Sequence, residues 1–142
     1  DGSLYYAVAG NVRIAVFRKG SLVPVSSGHT IGVLAGDRFV EGRITREQAL
    51  ALLDDSRLYN HVGQDGFREI EFVDTPVRLK DKDIVVLMSD GLYEGPGWRA
   101  IEEALSGRGR CRQKACDIVE LVNADSRKGK DNASIVLVGV AL

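Results

Sequence analysis

The sequence has 142 residues, 44% of them hydrophobic, and a formal net charge of -1. That composition fits one soluble globular domain, long enough to bury roughly two-thirds of the surface its unfolded chain exposes, and the near-zero charge gives no electrostatic case for nucleic acid or a membrane as partner. The longest apolar runs, Ile84–Met88 and 135–138, are far too short to span a bilayer, and the opening DGSLYYAVAG holds neither the basic nor the long apolar stretch of a signal peptide.

The chain begins at Asp1 rather than Met and enters a strand-like pattern at once, which reads as a portion cut from something longer. Residues 4–9 and 12–17 are rich in apolar side chains, and Ala9, Gly10 and Asn11 between them predict a turn. A second turn over Arg18, Lys19, Gly20 and Ser21 leads into 22–25, so this opening reads as a three-stranded meander. Pro24 cannot donate to a ladder, which makes the third strand short or places it at an edge. Residues 26–66, punctuated by Gly28, Gly32, Gly36, Gly42, Gly63 and Gly66, read as loop-rich with one helix inside. That helix starts at Thr45-Arg46-Glu47-Gln48, which fits a capping box: the Thr45 hydroxyl accepts from the Gln48 N–H and the Gln48 side chain reaches back. Ala49, Leu52 and Leu53 supply its apolar stripe.

Order returns over 68–79, which alternates in part through Ile70, Phe72, Val77 and Leu79. Lys80, Asp81, Lys82 and Asp83 predict a solvated turn, and Ile84–Met88 follows as a strand. Two helices are predicted next. The first starts near Pro96 and Gly97 and carries Trp98, Ile101 and Leu105. The second covers about 110–124, with Ala115, Ile118, Val119 and Val122 on one side. Cys111 and Cys116 stand on different faces of that helix, so they read as two reduced, partly buried thiols in a reducing, cytoplasmic compartment. A basic loop over 126–130 precedes Asp131 and Asn132, and a last strand covers 134–140. The runs 84–88 and 135–138 are apolar at every position rather than every second one, which predicts strands covered on both faces, in a sheet between helices and a second sheet.

Asp90 lies just past one of these strands and Asp131 just before the other. If the two strands pair antiparallel as neighbours, both carboxylates fall on one edge of the sheet, where they repel and each resists ionising. A divalent cation relieves that repulsion, and oxygen donors select the hard ions Mg²⁺ or Mn²⁺. Gly91 would let the backbone turn sharply toward the ion. Asp-Gly and Asp-Asn are also ordinary turn dipeptides, and spacing alone leaves that reading open.

At Ser89-Asp90-Gly91 and Asp131-Asn132-Ala133-Ser134 the chain resembles the metal-dependent Ser/Thr protein phosphatases, the PPM or type 2C family, whose late motifs stand here as VVLMSDGLYE and DNASIVLV. Upstream, AGNVRIAVFRKGSLVPVSSGHT is similar to the family's G-D-S-R hairpin and D-H-S/T segment, GDRFVEGRITREQA to its flap, and SRLYNHVG to the segment after it. The resemblance covers the whole chain in order. It implies an α+β fold, a portion of a four-layer α-β-β-α sandwich built on mostly antiparallel sheets. Residues 1–142 would be the C-terminal portion of one type 2C-like domain, with a flap-like segment at about 26–66. It implies hydrolysis of phosphoserine and phosphothreonine esters on proteins by two Mg²⁺ or Mn²⁺ ions, and short connections point to the bacterial type. Asp90 resembles the aspartate that ligates both metals and Asp131 the one that ligates the second.

Two departures accompany the resemblance. Asn11 stands where many members have an aspartate that helps hold a third ion, and a neutral amide is a poorer ligand. Arg13 matches the family arginine in what reads as a structural role. The family's early motifs, including the phosphate-contacting arginine and the Asp that bridges the metals, have no counterpart in this sequence, and His29 and His61 read as local loop residues rather than substitutes. The resemblance therefore assigns no catalytic residue within the chain. It implies as partners a phosphoprotein substrate and the N-terminal half of the domain. The competing reading is a pseudophosphatase that keeps the fold and uses its surface to bind or regulate other proteins.

Overall fold

The computed structural model describes residues 2–127 and 129–142; Asp1, where the sequence reading starts, and Lys128 of the expected basic loop lie outside the described residues. In chain order the elements are β1 (Ser3–Leu4), β2 (Ala7–Val8), β3 (Arg13–Arg18), β4 (Ser21–Pro24), α1 (Ile31–Val40), α2 (Arg46–Leu52), β5 (Glu71–Phe72), β6 (Val77–Arg78), β7 (Ile84–Met88), α3 (Asp90–Tyr93), α4 (Trp98–Ser106), α5 (Cys111–Ala124) and β8 (Ile135–Gly139). They fall into two units: Asp1–Tyr5, Val12–Ser26 and Val73–Leu142 form the first, Tyr6–Asn11 and Ser27–Phe72 the second. The class is α+β, and the strands pair antiparallel.

In the first unit the sheet runs β4-β3-β7-β8. Lys19 and Gly20, at φ 50° and 86°, make the tight turn between β3 and β4, since a two-residue hairpin loop of this kind needs positive φ at both positions. The alternation of strand side chains gives the sheet a helix-covered face. There Ala15, Phe17, Leu22, Val86 and Met88 pack with Leu92 of α3, Ile101 and Leu105 of α4, and Ile118 and Val122 of α5. Burial of each large apolar side chain contributes roughly 1.5–3 kcal/mol. On the other face Ile14, Val16 and Val85 are also buried, so the central strands are covered on both sides, as the unbroken apolar run of β7 predicts. The same expectation fails for β8. Val136 and Val138 remain 56% and 51% exposed, because β8 is the edge strand and only its helix-facing Ile135 and Leu137 pack against the core.

Three further expectations for this unit need correction. The turn at Lys80–Asp83 is not solvated at Asp83, which is 2% exposed and receives Arg18 through Nε–Oδ1 at 2.9 Å and Nη2–Oδ2 at 2.6 Å. Asp83 Oδ2 also accepts the Lys80 N–H at 2.7 Å, so the carboxylate both closes its own turn and fastens it to β3. On α5 the buried stripe is Lys114, Ile118 and Val122, while Val119 is exposed at its rim. The buried Lys114 ammonium donates to the carbonyls of Leu105 and Gly107, satisfying the end of α4 that has no further helical partners. Cys111 is half-buried and Cys116 is exposed rather than partly buried; both are free thiols.

The meander does not form. The stretch 4–9 breaks into two short strands with separate partners: Ser3 and Leu4 pair with Arg78 and Val77, and Ala7 and Val8 with Phe72 and Glu71. Gly10 of the expected turn has positive φ, at 94°, yet β2 pairs with β5 rather than back along β3.

In the second unit the capping box is present as read, with Gln48 N–H to Thr45 Oγ1 at 3.2 Å and Thr45 N–H to Gln48 Oε1 at 2.9 Å. The expected loop before it is the helix α1, capped at Thr30. Gly32 and Gly36 look like loop punctuation in the sequence, but a Cβ on Gly32 would lie 2.3 Å from the Leu53 carbonyl oxygen, so that glycine is a close helix approach. The apolar stripe of α2 is not buried, and Leu52 and Leu53 are 37% and 59% exposed. A hollow of about 350 Å³ lies against it, lined by Ile31, Ala35, Arg38, Ile44 and Leu52 among others. His29 lies in the loop before α1, as read, but is buried there: it is 5% exposed, and its Nδ1 accepts the Gly10 N–H at 3.2 Å and faces Asn60 Nδ2 at 2.9 Å. His61 is exposed, with Nδ1 3.1 Å from the Val62 carbonyl.

Candidate metal centre

The two aspartates reach one end of the β7–β8 pair. Met88 stands opposite Ile135, and beyond that rung the strands stay tied by Ser89. Its N–H donates to the Ser134 carbonyl at 3.0 Å, its Oγ accepts the Ser134 N–H at 3.0 Å and donates to the Asn132 carbonyl at 3.4 Å. Asp90 follows at once as the first residue of α3, and Asp131 lies just before Asn132 on the other strand's approach. Each carboxylate accepts its neighbour's N–H with Oδ1: Gly91 N at 2.9 Å for Asp90, Asn132 N at 2.7 Å for Asp131.

Gly91 has a different reason from the expected sharp turn. Its φ is not positive. A Cβ there would stand 2.4 Å from the Asn132 carbonyl oxygen, so the glycine is a place where the Asp131–Asn132 backbone crosses α3.

A third carboxylate, not singled out in the sequence, joins this end. Glu94 lies one turn beyond Asp90, on the same face of a helix, and that spacing is the signal that could have found it. Loss of water around the Glu94 carboxyl raises its pKa most, the negative charges of Asp90 and Asp131 raise it further, and Arg13 opposes them. Glu94 and Asp131 both line a cavity of about 220 Å³, together with Gly91, Arg127 and Lys130. Arg13 sits opposite Met88 at the same sheet end. Its guanidinium carbon lies 5.5 Å from the Tyr93 ring centroid, a cation–π distance. Tyr93 itself is pushed up to about 12, chiefly by burial. Asn11 is half-buried beside Gly10 at the end of its segment of the second unit.

Carboxylate oxygens are the right kind of donor for Mg²⁺ or Mn²⁺, and Asp90 and Asp131 fit such an ion in kind. They do not fit it in number: among the described residues no group of three His, Cys, Asp or Glu side chains is placed to hold a metal ion. Nor, among those residues, is any helix long and apolar enough to cross a membrane.

No family model and no curated protein matches the sequence. Solved structures do. The Streptococcus agalactiae serine/threonine phosphatase superposes with a TM-score of 0.75 at 25% identity, covering 96% of this chain and 54% of that one. The Mycobacterium tuberculosis serine/threonine phosphatase PstP/Ppp gives 0.72 at 24% identity, covering 97% and 56%. The PPM Ser-Thr phosphatase MsPP from Mycobacterium smegmatis gives 0.70 at 20% identity, covering 94% and 54%. The fold is therefore that of a portion of a PPM-type Ser/Thr phosphatase, and the chain spans little more than half the length of these proteins.

Proposed function

We propose that this chain is the C-terminal, metal-ligating portion of a protein Ser/Thr phosphatase domain of bacterial type, acting on phosphoserine and phosphothreonine esters. The observation that carries the reading is the antiparallel β7–β8 register, which delivers Asp90 and Asp131 to one sheet end within a fold shared with such phosphatases. Val136 and Val138, exposed on the edge strand β8, support a further part of the domain packing there, since exposed apolar edges are ordinarily covered. The free thiols of Cys111 and Cys116 agree with a reducing, cytoplasmic setting.

Asp90 and Asp131 would contribute two of the ligands to Mg²⁺ or Mn²⁺, and such an ion would supply Lewis acidity toward phosphoryl oxygens and make water easier to deprotonate. The chain's own residues do the rest of what can be derived. The strand end at Met88 and the Ser89 bonds hold both carboxylates on a rigid base. Arg13, over the Tyr93 ring, opposes the rise in the Glu94 pKa and so favours its charged form. Glu94, with its pKa raised, keeps a proton more readily than an ordinary glutamate beside the site.

A second reading, a pseudophosphatase serving as a binding or regulatory module, is favoured by the shortage of ligands among the described residues. A Mn²⁺ titration of p-nitrophenyl phosphate and phosphopeptide hydrolysis separates the two. The chain alone turns over at background rate, because two carboxylates do not offset the charge of two divalent ions. A form extended by the upstream half of such a domain is active, and Asp90→Asn in it abolishes activity. Strong turnover by the short chain would place the active site elsewhere; an inactive extended form would favour the binding module.

A further inference from the structure

The short loop between α5 and Asp131 is closed by a side chain. The last carbonyls of α5 have no glycine-type cap: Asp125 ends the helix at φ -65° and ψ 123°, and its N–H serves Leu121 and Val122. The Lys130 ammonium fills that end instead, donating to the carbonyls of Asp125 at 2.6 Å, Val122 at 3.1 Å and Asn123 at 3.4 Å. A cation at the negative end of a helix is favourably placed. Gly129, at φ 77°, lets the chain double back so that the next residue but one is Asp131. Arg127 adds a second tie, donating to the Glu94 carbonyl at 3.0 Å and to Asp125 Oδ2.

Asp131 therefore sits between two anchors. Downstream, Ser89 holds Asn132 and Ser134; upstream, Lys130 holds the backbone to α5. Gly91 lies beneath, with no side chain to push the bridge away. We propose that Lys130 is a positioning residue of the metal centre: seated on the α5 carbonyls, it fixes the backbone that presents the Asp131 carboxylate. This rests on the reading of Asp90 and Asp131 as metal ligands. Removing the ammonium leaves Arg127 as the upstream tie, three residues further from Asp131 than the Lys130 seat, and the carbonyls of Val122, Asn123 and Asp125 turn to water.

The test uses the ¹⁵N-labelled chain, with Mn²⁺ itself as probe. Lys130→Met is expected to speed hydrogen exchange of the Asn132 amide, which donates to Asp131 Oδ1, by tenfold or more. It is also expected to weaken Mn²⁺ line broadening at Gly91 and Asn132 at least fivefold, with β7 amides unchanged. Lys130→Arg, which keeps a cationic donor, restores both. Wild-type exchange and broadening in Lys130→Met would overturn the proposal. If the unsubstituted chain shows no site-specific Mn²⁺ broadening, the two carboxylates alone do not hold the ion, and the exchange measurement alone decides whether Lys130 sets Asp131. Should Lys130→Met not fold, the unsubstituted chain answers: a slowly exchanging Lys130 ammonium resonance supports the anchor, and its absence overturns it.

Discussion

Gly91 and Asn132 meet backbone to backbone, 41 positions apart in the chain: a Cβ on Gly91 would stand 2.4 Å from the Asn132 carbonyl oxygen and 3.2 Å from that of Asp131. The approach joins the two segments that carry Asp90 and Asp131. Gly91→Ala is expected to cost about 1–3 kcal/mol, the range for forcing extra volume into a packed place. Urea melts check the cost, and the Asn132 amide shift checks that the displacement falls there. A change below about 0.5 kcal/mol, the size of an ordinary surface substitution, would mean that the crossing is looser than described.

Met88 and Val136 lie on adjacent strands with opposite fates, 1% and 56% exposed. Met88→Ala is expected to cost about 2–5 kcal/mol, and Val136→Ala or Val138→Ala no more than about 0.5 kcal/mol. Leu137→Ala should fall between them, because Leu137 packs on the core while only partly buried. Denaturant midpoints of the variants at matched slopes give the comparison. Equal losses at Met88 and Val136 would contradict the edge position of β8.

Asp83 links stability to acid. Its pKa is lowered, mainly by the hydrogen bonds from Arg18 and next by the Lys80 N–H against the opposing cost of burial. A carboxyl depressed in the folded state stabilises it above the unfolded value, about 3.9, and that contribution disappears as pH falls through the lower folded value. Asp83→Asn is expected to lose on the order of 2 kcal/mol at neutral pH and to show a flatter fall in stability below about pH 4 than the unsubstituted chain. Melts across that range decide it; parallel curves would remove Asp83 from the account.

Glu94 reports on the spacing of the three carboxylates. Because Asp131 raises its pKa, Asp131→Asn is expected to move the Glu94 titration down toward the ordinary glutamate value, about 4.3. The raised folded value also means that protonated Glu94 favours the native state, and that this contribution is lost as pH rises through it. A ¹³C titration of the carboxyl in both chains is the measurement, and an unchanged Glu94 curve would separate Asp131 from this site.

Local signals carried part of this structure. The Thr45–Gln48 capping box, the unbroken apolar run of β7, the Lys19–Gly20 reversal, the stripe of α4 and the Ile118 and Val122 part of that of α5 are written within a few residues of where they act. The ordered motifs around Asp90 and Asp131 likewise made the PPM-type fold legible before any contact was seen. What tertiary structure decided depends on partners distant in the chain. Residues 4–9 became two strands rather than one because Val77–Arg78 and Glu71–Phe72 offered separate edges. Gly32 and Gly91 are glycines because another backbone passes over them, which the sequence cannot distinguish from a turn. Asp83 is buried because Arg18 stands beside it on the neighbouring strand. The 135–138 run reads like that of β7, yet β8 is an edge, since apolar composition records a preference for burial and only the packing of neighbours determines which faces are covered.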